Sequence, residues 1–227
     1  MKKFAWSLLV LFLVGNGIWA EVVEIPDPNL RKAVEQALYV EVGEDITKEV
    51  LARLTVLDAN GRQIKNLSGI ESCINLTELK LSFNQLTYLT SFNGANLPNL
   101  TQLDLYGNQL IDINGLAWAN LPHLKTLKLD QNQITDLSGL AEASLPNLRH
   151  VYLTSNPLTK DIFLTQIPSL EKKRILVYAD YPEDWDTTFK NVWAEVVEVP
   201  DFNFRTAVEQ ALGIEVGANI TKEFWLS

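Results

Sequence analysis

Cysteine is nearly missing from this chain. Of 227 residues only Cys73 is one, so no internal disulfide can form and the core must rest on burial alone. Cys73 lies in the run IESCINL, between apolar positions, where a small buried hydrophobe is expected rather than a nucleophile. Histidine is scarce too: there are two, His123 and His150. No CxxC, no HExxH and no glycine-rich phosphate loop occurs, so the sequence offers no catalytic residue, no metal site and no cofactor site. Positive charge is the minority, with 19 Lys and Arg against 28 Asp and Glu and a formal net charge of −9. Such a surface repels phosphate backbones and anionic lipid heads, which excludes nucleic acid and non-specific membrane binding as expected functions. Its plainest consequence is solubility. The chain is 47% hydrophobic, too much for a disordered polymer.

Long apolar runs are missing as well, with one exception. Lys2 and Lys3 precede an apolar stretch from Phe4 to Val14, followed by a Gly- and Asn-containing segment that ends at Ala20. This is the layout of a secretory signal peptide over 1–20. A helix of that apolar length reaches about 16 Å, short of the ~30 Å hydrocarbon core, so stable membrane insertion after cleavage is not expected. Ile18-Trp19-Ala20 is an imperfect cleavage site, with Gly17 as the alternative. The expected location is outside the cytoplasm: secreted, periplasmic or at the cell surface.

What the chain has in abundance is a repeat. Leu76 to Leu86 reads LTELKLSFNQL, Leu100 to Leu110 reads LTQLDLYGNQL, Leu124 to Ile134 reads LKTLKLDQNQI and Leu148 to Leu158 reads LRHVYLTSNPL. The four units start 24 residues apart, and a degenerate unit, Leu54 to Ile64, precedes them by 22. Within each, alternation of apolar and polar residues predicts a short strand with one buried face. Leu79, Leu103, Leu127 and Val151 are predicted to stack inward from coil to coil. Each unit keeps an asparagine after its strand: Asn84, Asn108, Asn132 and Asn156. An amide both donates and accepts, so these four are predicted to form a structural ladder that satisfies turn groups buried between coils. The Asn-Leu-Ser/Thr runs at Asn66, Asn75 and Asn99 match a glycosylation acceptor, but the repeat pattern already accounts for them.

The unit and its period resemble the leucine-rich-repeat family, LxxLxLxxNxL. That resemblance implies an α/β solenoid with one short parallel strand per repeat lining a concave face. A solenoid needs its ends covered. Asp27 and Pro28 start a predicted helix, and Thr47 a second short one, so residues 21–53 read as a helical N-terminal cap. Cap, degenerate first repeat and clean repeats in that order resemble the bacterial internalin-like arrangement. Residues 54–178 are then the solenoid, with a closing coil whose final strand is Ile175 to Tyr178. Residues 179–194 read as a linker, and 195–227 as a duplicated, incomplete cap. From Trp193 to Ser227, 23 of 35 positions repeat the stretch from Trp19 to Arg53. This copy either belongs to a longer design with several capped arrays, covers the far end of the first array, or dimerises.

The outward positions of the strands are where the repeats differ. One column reads Asp58, Lys80, Asp104, Lys128, Tyr152, and predicts ion pairs between adjacent strands about 4.8 Å apart. Phe83, Tyr106 and Tyr152 place aromatic side chains where a sheet should meet water, the mark of an interface. The candidate partner-binding residues on the concave face are Phe83, Tyr106, Tyr152, His150, Lys80, Asp104, Lys128 and Asp130. An enzyme reading rests on Asp58 and Asp104, two strands and about 10 Å apart, a spacing that could flank a glycosidic bond. Lys80 between them and the lack of a cleft weigh against it. The expected function is a non-catalytic, exported module that binds a protein or glycan partner through the concave face. The alternative is a structural or assembly fragment of a larger multi-array surface protein, without its own ligand. Five strands offer only ~400 Å², against the ~800 Å² per partner of a standard interface.

Overall fold

A computed structural model of the chain describes residues 20–180. The proposed signal peptide up to residue 19, most of the 179–194 linker and the duplicated cap at 195–227 lie outside them. Six strands form a single parallel sheet in strict sequence order: β1 Val56–Asp58, β2 Glu78–Lys80, β3 Gln102–Asp104, β4 Thr126–Lys128, β5 His150–Tyr152 and β6 Leu176–Tyr178. Five repeats were counted from the sequence. The closing coil adds the sixth strand, because Val177 falls in register with Val151. Each strand is three residues long, with its middle residue turned inward. Leu57, Leu79, Leu103, Leu127 and Val151 are paired neighbours along the sheet and all are buried.

The return path of each coil is a short helical turn. These are 3-10 turns at Ile70–Ser72, Thr90–Phe92 and Asn114–Trp118, then α3 at Ser138–Glu142. Ile70, Phe92, Leu116 and Leu140 drop from them into the core, facing the strand leucines. Fully burying one such side chain is worth roughly 1.5–3 kcal/mol. Coils pack closely here. A Cβ on Gly115 would lie 2.0 Å from the Leu89 carbonyl oxygen, and one on Gly139 would lie 2.6 Å from that of Ile113. Only glycine permits that approach of two backbones.

The turn after each strand is held by the asparagines. The Asn108 amide donates to the carbonyls of Leu81 (2.9 Å) and Leu105 (3.0 Å), and its oxygen accepts from Leu86 N–H (3.1 Å). Asn132 does the same with Leu105, Leu129 and the N–H of Leu110. Asn84 binds Ala59 and Leu81 and accepts from Arg62 and Ile64. Asn156 binds Leu129 and Leu153 and accepts from Ile134. Each side chain therefore ties its own coil to the one before.

A second ladder runs along the turn before each strand. Asn75 donates to Ala52 O, Asn99 to Ile74 O and Asn147 to Pro122 O, while the His123 ring nitrogen contacts Pro98 O at 2.6 Å. His123 thus occupies an asparagine position: its LPHL aligns with the LPNL of Asn99 and Asn147.

At the N-terminal end, α1 (Pro28–Leu38) covers the first coil and α2 (Lys48–Leu51) follows it. Pro28 sits in the first turn of α1, where its missing N–H costs nothing. Asp27 joins this cap to the solenoid. One carboxylate oxygen accepts from Asn29 and Leu30 N–H at the helix start, the other from Lys65 and Asn66 N–H in the first repeat. Burial pushes its carboxyl up, but the four backbone donors outweigh that and hold it below the ordinary value. At the far end a π-helical turn, Ile162–Gln166, runs into α4 (Ile167–Lys172) and on to β6. Its buried Ile162, Phe163, Ile167 and Leu170 close the core.

Two outcomes are expected. Asn108→Ala strips partners from two carbonyls and one N–H between buried coils. It should lower stability by about 2–4 kcal/mol in a denaturant titration, against a near-neutral Asn93→Ala. The Asp27 carboxyl is depressed in the folded state, so its contribution is present above the unfolded value and is lost as pH falls through the folded one. Asp27→Asn should therefore be less stable than the parent at neutral pH. In thermal melts the gap between the two should start to narrow only below about pH 4.

Candidate functional site

The outer face of the sheet carries two groups of aromatic side chains, one toward each end. The first is Phe83 with Tyr106. Phe83 is the second residue after Leu81, in the turn rather than on the strand, and its φ is 57°. Its counterparts on the other coils, Gly61, Gly107, Gln131 and Ser155, all share this left-handed backbone. The constraint comes from the ladder: Phe83 N–H donates to Tyr106 O, Gly107 N–H to Asp130 O and Gln131 N–H to Thr154 O. Glycine meets this geometry at no steric cost, but a bulky residue there costs on the order of 1–2 kcal/mol. Phe83 is nonetheless 58% exposed. Its ring lies over Gly107, where a Cβ would come within 2.8 Å of it, and meets the Tyr106 ring edge-on at 4.9 Å and 81°.

The second group joins β5 and β6. Tyr152 and Tyr178 are register partners, so strand spacing alone brings their rings face to face, at 4.6 Å and 10°. His150 stands beside them at 6.1 Å from Tyr178 and 6.5 Å from Tyr152, and its Nδ1 lies 3.2 Å from the Tyr178 hydroxyl. The sequence-based site lacks Tyr178. The signal was available: laying the closing strand Leu176-Val-Tyr178 on His150-Val-Tyr152 places Tyr178 in the Tyr152 column.

Between the aromatic groups lies a charged band, and it differs from the expected alternation. Lys128 pairs across strands with Asp104 at 3.4 Å, but Lys80 pairs along its own strand with Glu78 at 3.1 Å. Two residues apart on one strand, Glu78 and Lys80 point to the same face, and that short reach competes with the cross-strand one. Such exposed pairs contribute only about 0–1 kcal/mol.

Two of the candidate contact carboxylates turn out to serve the turns. Asp130 is buried, and its Oδ1 accepts from the Thr154 hydroxyl (2.6 Å) and N–H (3.1 Å). Asp104 accepts from the Ser82 hydroxyl (2.7 Å) and Tyr106 N–H (3.1 Å). Asp130 is thereby corrected from a partner contact to a turn-holding group; Asp104 keeps one oxygen toward Lys128. Asp58 accepts from Asn60 N–H, and Lys80 stands between it and Asp104 in the register, which leaves no paired acid and base across an open gap. Cys73 is fully buried, and desolvation, aided by the Glu71 charge, pushes its thiol up to about 12. It is a packing residue.

Comparison with known proteins places this geometry. The leucine-rich-repeat family model matches residues 74–134 and 98–158. Internalin J of Listeria monocytogenes is 36% identical over 64 residues, a match that spans 28% of this chain and 7% of that protein. The solved structure of another Listeria monocytogenes internalin, InlF, superposes with a TM-score of 0.55 at 24% identity, covering 73% of this chain and 54% of that one. A leucine-rich-repeat protein of Leptospira interrogans gives a TM-score of 0.50 at 27% identity, covering 60% and 34%. The chain thus spans about half the length of the internalin structure and a small part of Internalin J. The repeat match, the ordered parallel sheet and the helical N-terminal cap converge: the chain carries a leucine-rich-repeat solenoid, similar to those of the internalins.

Proposed function

We propose that the chain is an exported, non-catalytic binding module that holds a protein partner on the outer face of its sheet. The observation that carries this reading is the stacked Tyr152–Tyr178 pair with His150, flanked along the sheet by Phe83 and Tyr106. None of these side chains enters the buried core of the solenoid. Rigid aromatics lose little conformational freedom on binding and are the residue types that dominate interface energetics. Lys80, Lys128 and Asp104 lie between the two groups and supply charge for orientation rather than affinity. Export rests on the basic start and apolar run of residues 1–20. The location that follows is secreted, periplasmic or cell-surface.

Six strands widen the sheet face to about 500 Å², still below the ~800 Å² per partner of a standard interface. A modest affinity follows for this array alone. A second reading, a structural unit of a larger surface protein without its own ligand, draws on the restated cap sequence after residue 192. The domain limits 21–53, 54–178 and 195–227 belong to the same proposal.

The full chain and a Phe83→Ser/Tyr106→Ser/Tyr152→Ser/Tyr178→Ser variant should differ in affinity capture from surface fractions. A protein held by the parent and lost by the variant is the expected result. Retention by both would remove the sheet face from recognition, and retention by neither would favour the structural reading. Phe83 allows a finer measurement. Phe83→Asn relieves the left-handed backbone while removing the ring. Its melting temperature should equal or exceed the parent's while partner affinity falls about tenfold or more. A lower melting temperature would mean that the ring serves the fold.

A further inference from the structure

The helical side of the solenoid departs from its own repeat at two adjacent positions. Asn66, Asp112 and Asp136 occupy one column of the coils, and each accepts from the N–H two residues on to start its helical turn. Tyr88 stands in that column instead, 51% exposed. In a second column Gly94 and Glu142 flank Trp118, which is 71% exposed. Neither aromatic is required by the coil, since its neighbours fold with small or charged residues there. Both nevertheless line one shallow cleft of about 260 Å³ between the second and third helical turns. Its remaining walls are Leu89, Thr90, Asn93, Asp112, Asn114 and Gly115. The side chains of Thr90, Asn93 and Asn114 are exposed and make no hydrogen bond to another of the described residues, which leaves them available to a ligand in competition with water.

We infer that this cleft is a binding site for a neutral hexose unit of a glycan, separate from the sheet face. A pyranose ring has an apolar C–H face and a rim of hydroxyls. Tyr88 and Trp118 supply flat surfaces for the first, and two amides, a hydroxyl and a carboxylate supply hydrogen-bonding partners for the second. The cleft is at the small end for a ligand pocket, the size of a single ring rather than a cofactor or a folded segment. Asp112 and the net charge of −9 act against uronic and sialic acids and favour uncharged sugars.

The test uses an array of neutral and acidic oligosaccharides with the full chain, followed by saturation-transfer NMR on the best neutral hit. Trp118→Glu and Tyr88→Asp copy the residues that neighbouring repeats carry at these columns, so both variants should melt at or above the parent temperature. Each should weaken the neutral sugar about tenfold or more, while Tyr152→Ser on the sheet face leaves it unchanged. Binding of no neutral sugar, a preference for acidic sugars, or binding that survives Trp118→Glu would each overturn the assignment. Loss of glycan binding with retained protein capture separates this site from the sheet-face function, and the reverse pattern does so equally.

Discussion

The whole structure depends on one constraint: a coil that reverses direction in the interior must satisfy its own backbone. Three-residue strands leave most of each repeat in turns, and turn N–H and C=O groups packed between coils have no water to bind. An asparagine solves this from a single side chain, because its amide donates twice and accepts twice. Asn84, Asn108 and Asn132 are buried and each bridges carbonyls of two successive coils. The bridge fixes each coil against the one before it, and the strand register and stacked leucines are consistent with that spacing. The second ladder, through Asn75, Asn99, His123 and Asn147, applies the same remedy to the opposite turn.

Most of the fold was legible for this reason. The 24-residue period, the inward leucines, the asparagine column and the Asp27–Pro28 helix start are local or periodic, and periodic constraints show in one sequence without any structure. The sixth strand was harder, because the closing coil has no asparagine and a longer helical return. Its apolar run from Ile175 to Tyr178 predicts a strand, and the Val151–Val177 register shows that strand joined to the sheet. The site was legible in part. Phe83, Tyr106 and Tyr152 stood out as aromatics at outward positions, but Tyr178 lay in the irregular coil. Asp130 looked outward by alternation, yet the Thr154 hydroxyl and N–H claim its carboxylate. Alternation predicts which way a side chain leaves the strand, not which neighbour it meets. Lys80 illustrates the same limit by pairing with Glu78 rather than with an adjacent strand.

A solenoid divides its residues into those fixed by the repeat and those free of it, and this separates stability from recognition more cleanly than in a globular domain. Stability is a sum over coils and their interfaces, so a substitution at a free position has little to disturb. The free positions here are not uniformly polar. Tyr152 and Tyr178 stack on one face, Phe83 leans on Tyr106, and Tyr88 and Trp118 line one cleft on the other side. Departures from the repeat that gather in space are therefore informative, because packing does not call for them.

Phe83 makes the point in energetic form. Its column is filled elsewhere by glycine or a small or flexible polar residue, and the hydrogen bond from Phe83 N–H to Tyr106 O holds the backbone left-handed whatever side chain it bears. The ring recovers some contact with Gly107 and Tyr106, but it remains mostly exposed. An edge-on aromatic pair contributes about 0.5–1.5 kcal/mol, comparable to the strain at that position and not a clear excess over it. Folding gains little from this residue, so the fold by itself does not account for an aromatic side chain at this position. Strain at an exposed aromatic is an observation independent of the stack at the other end of the sheet, and the proposed role of the sheet face draws on both.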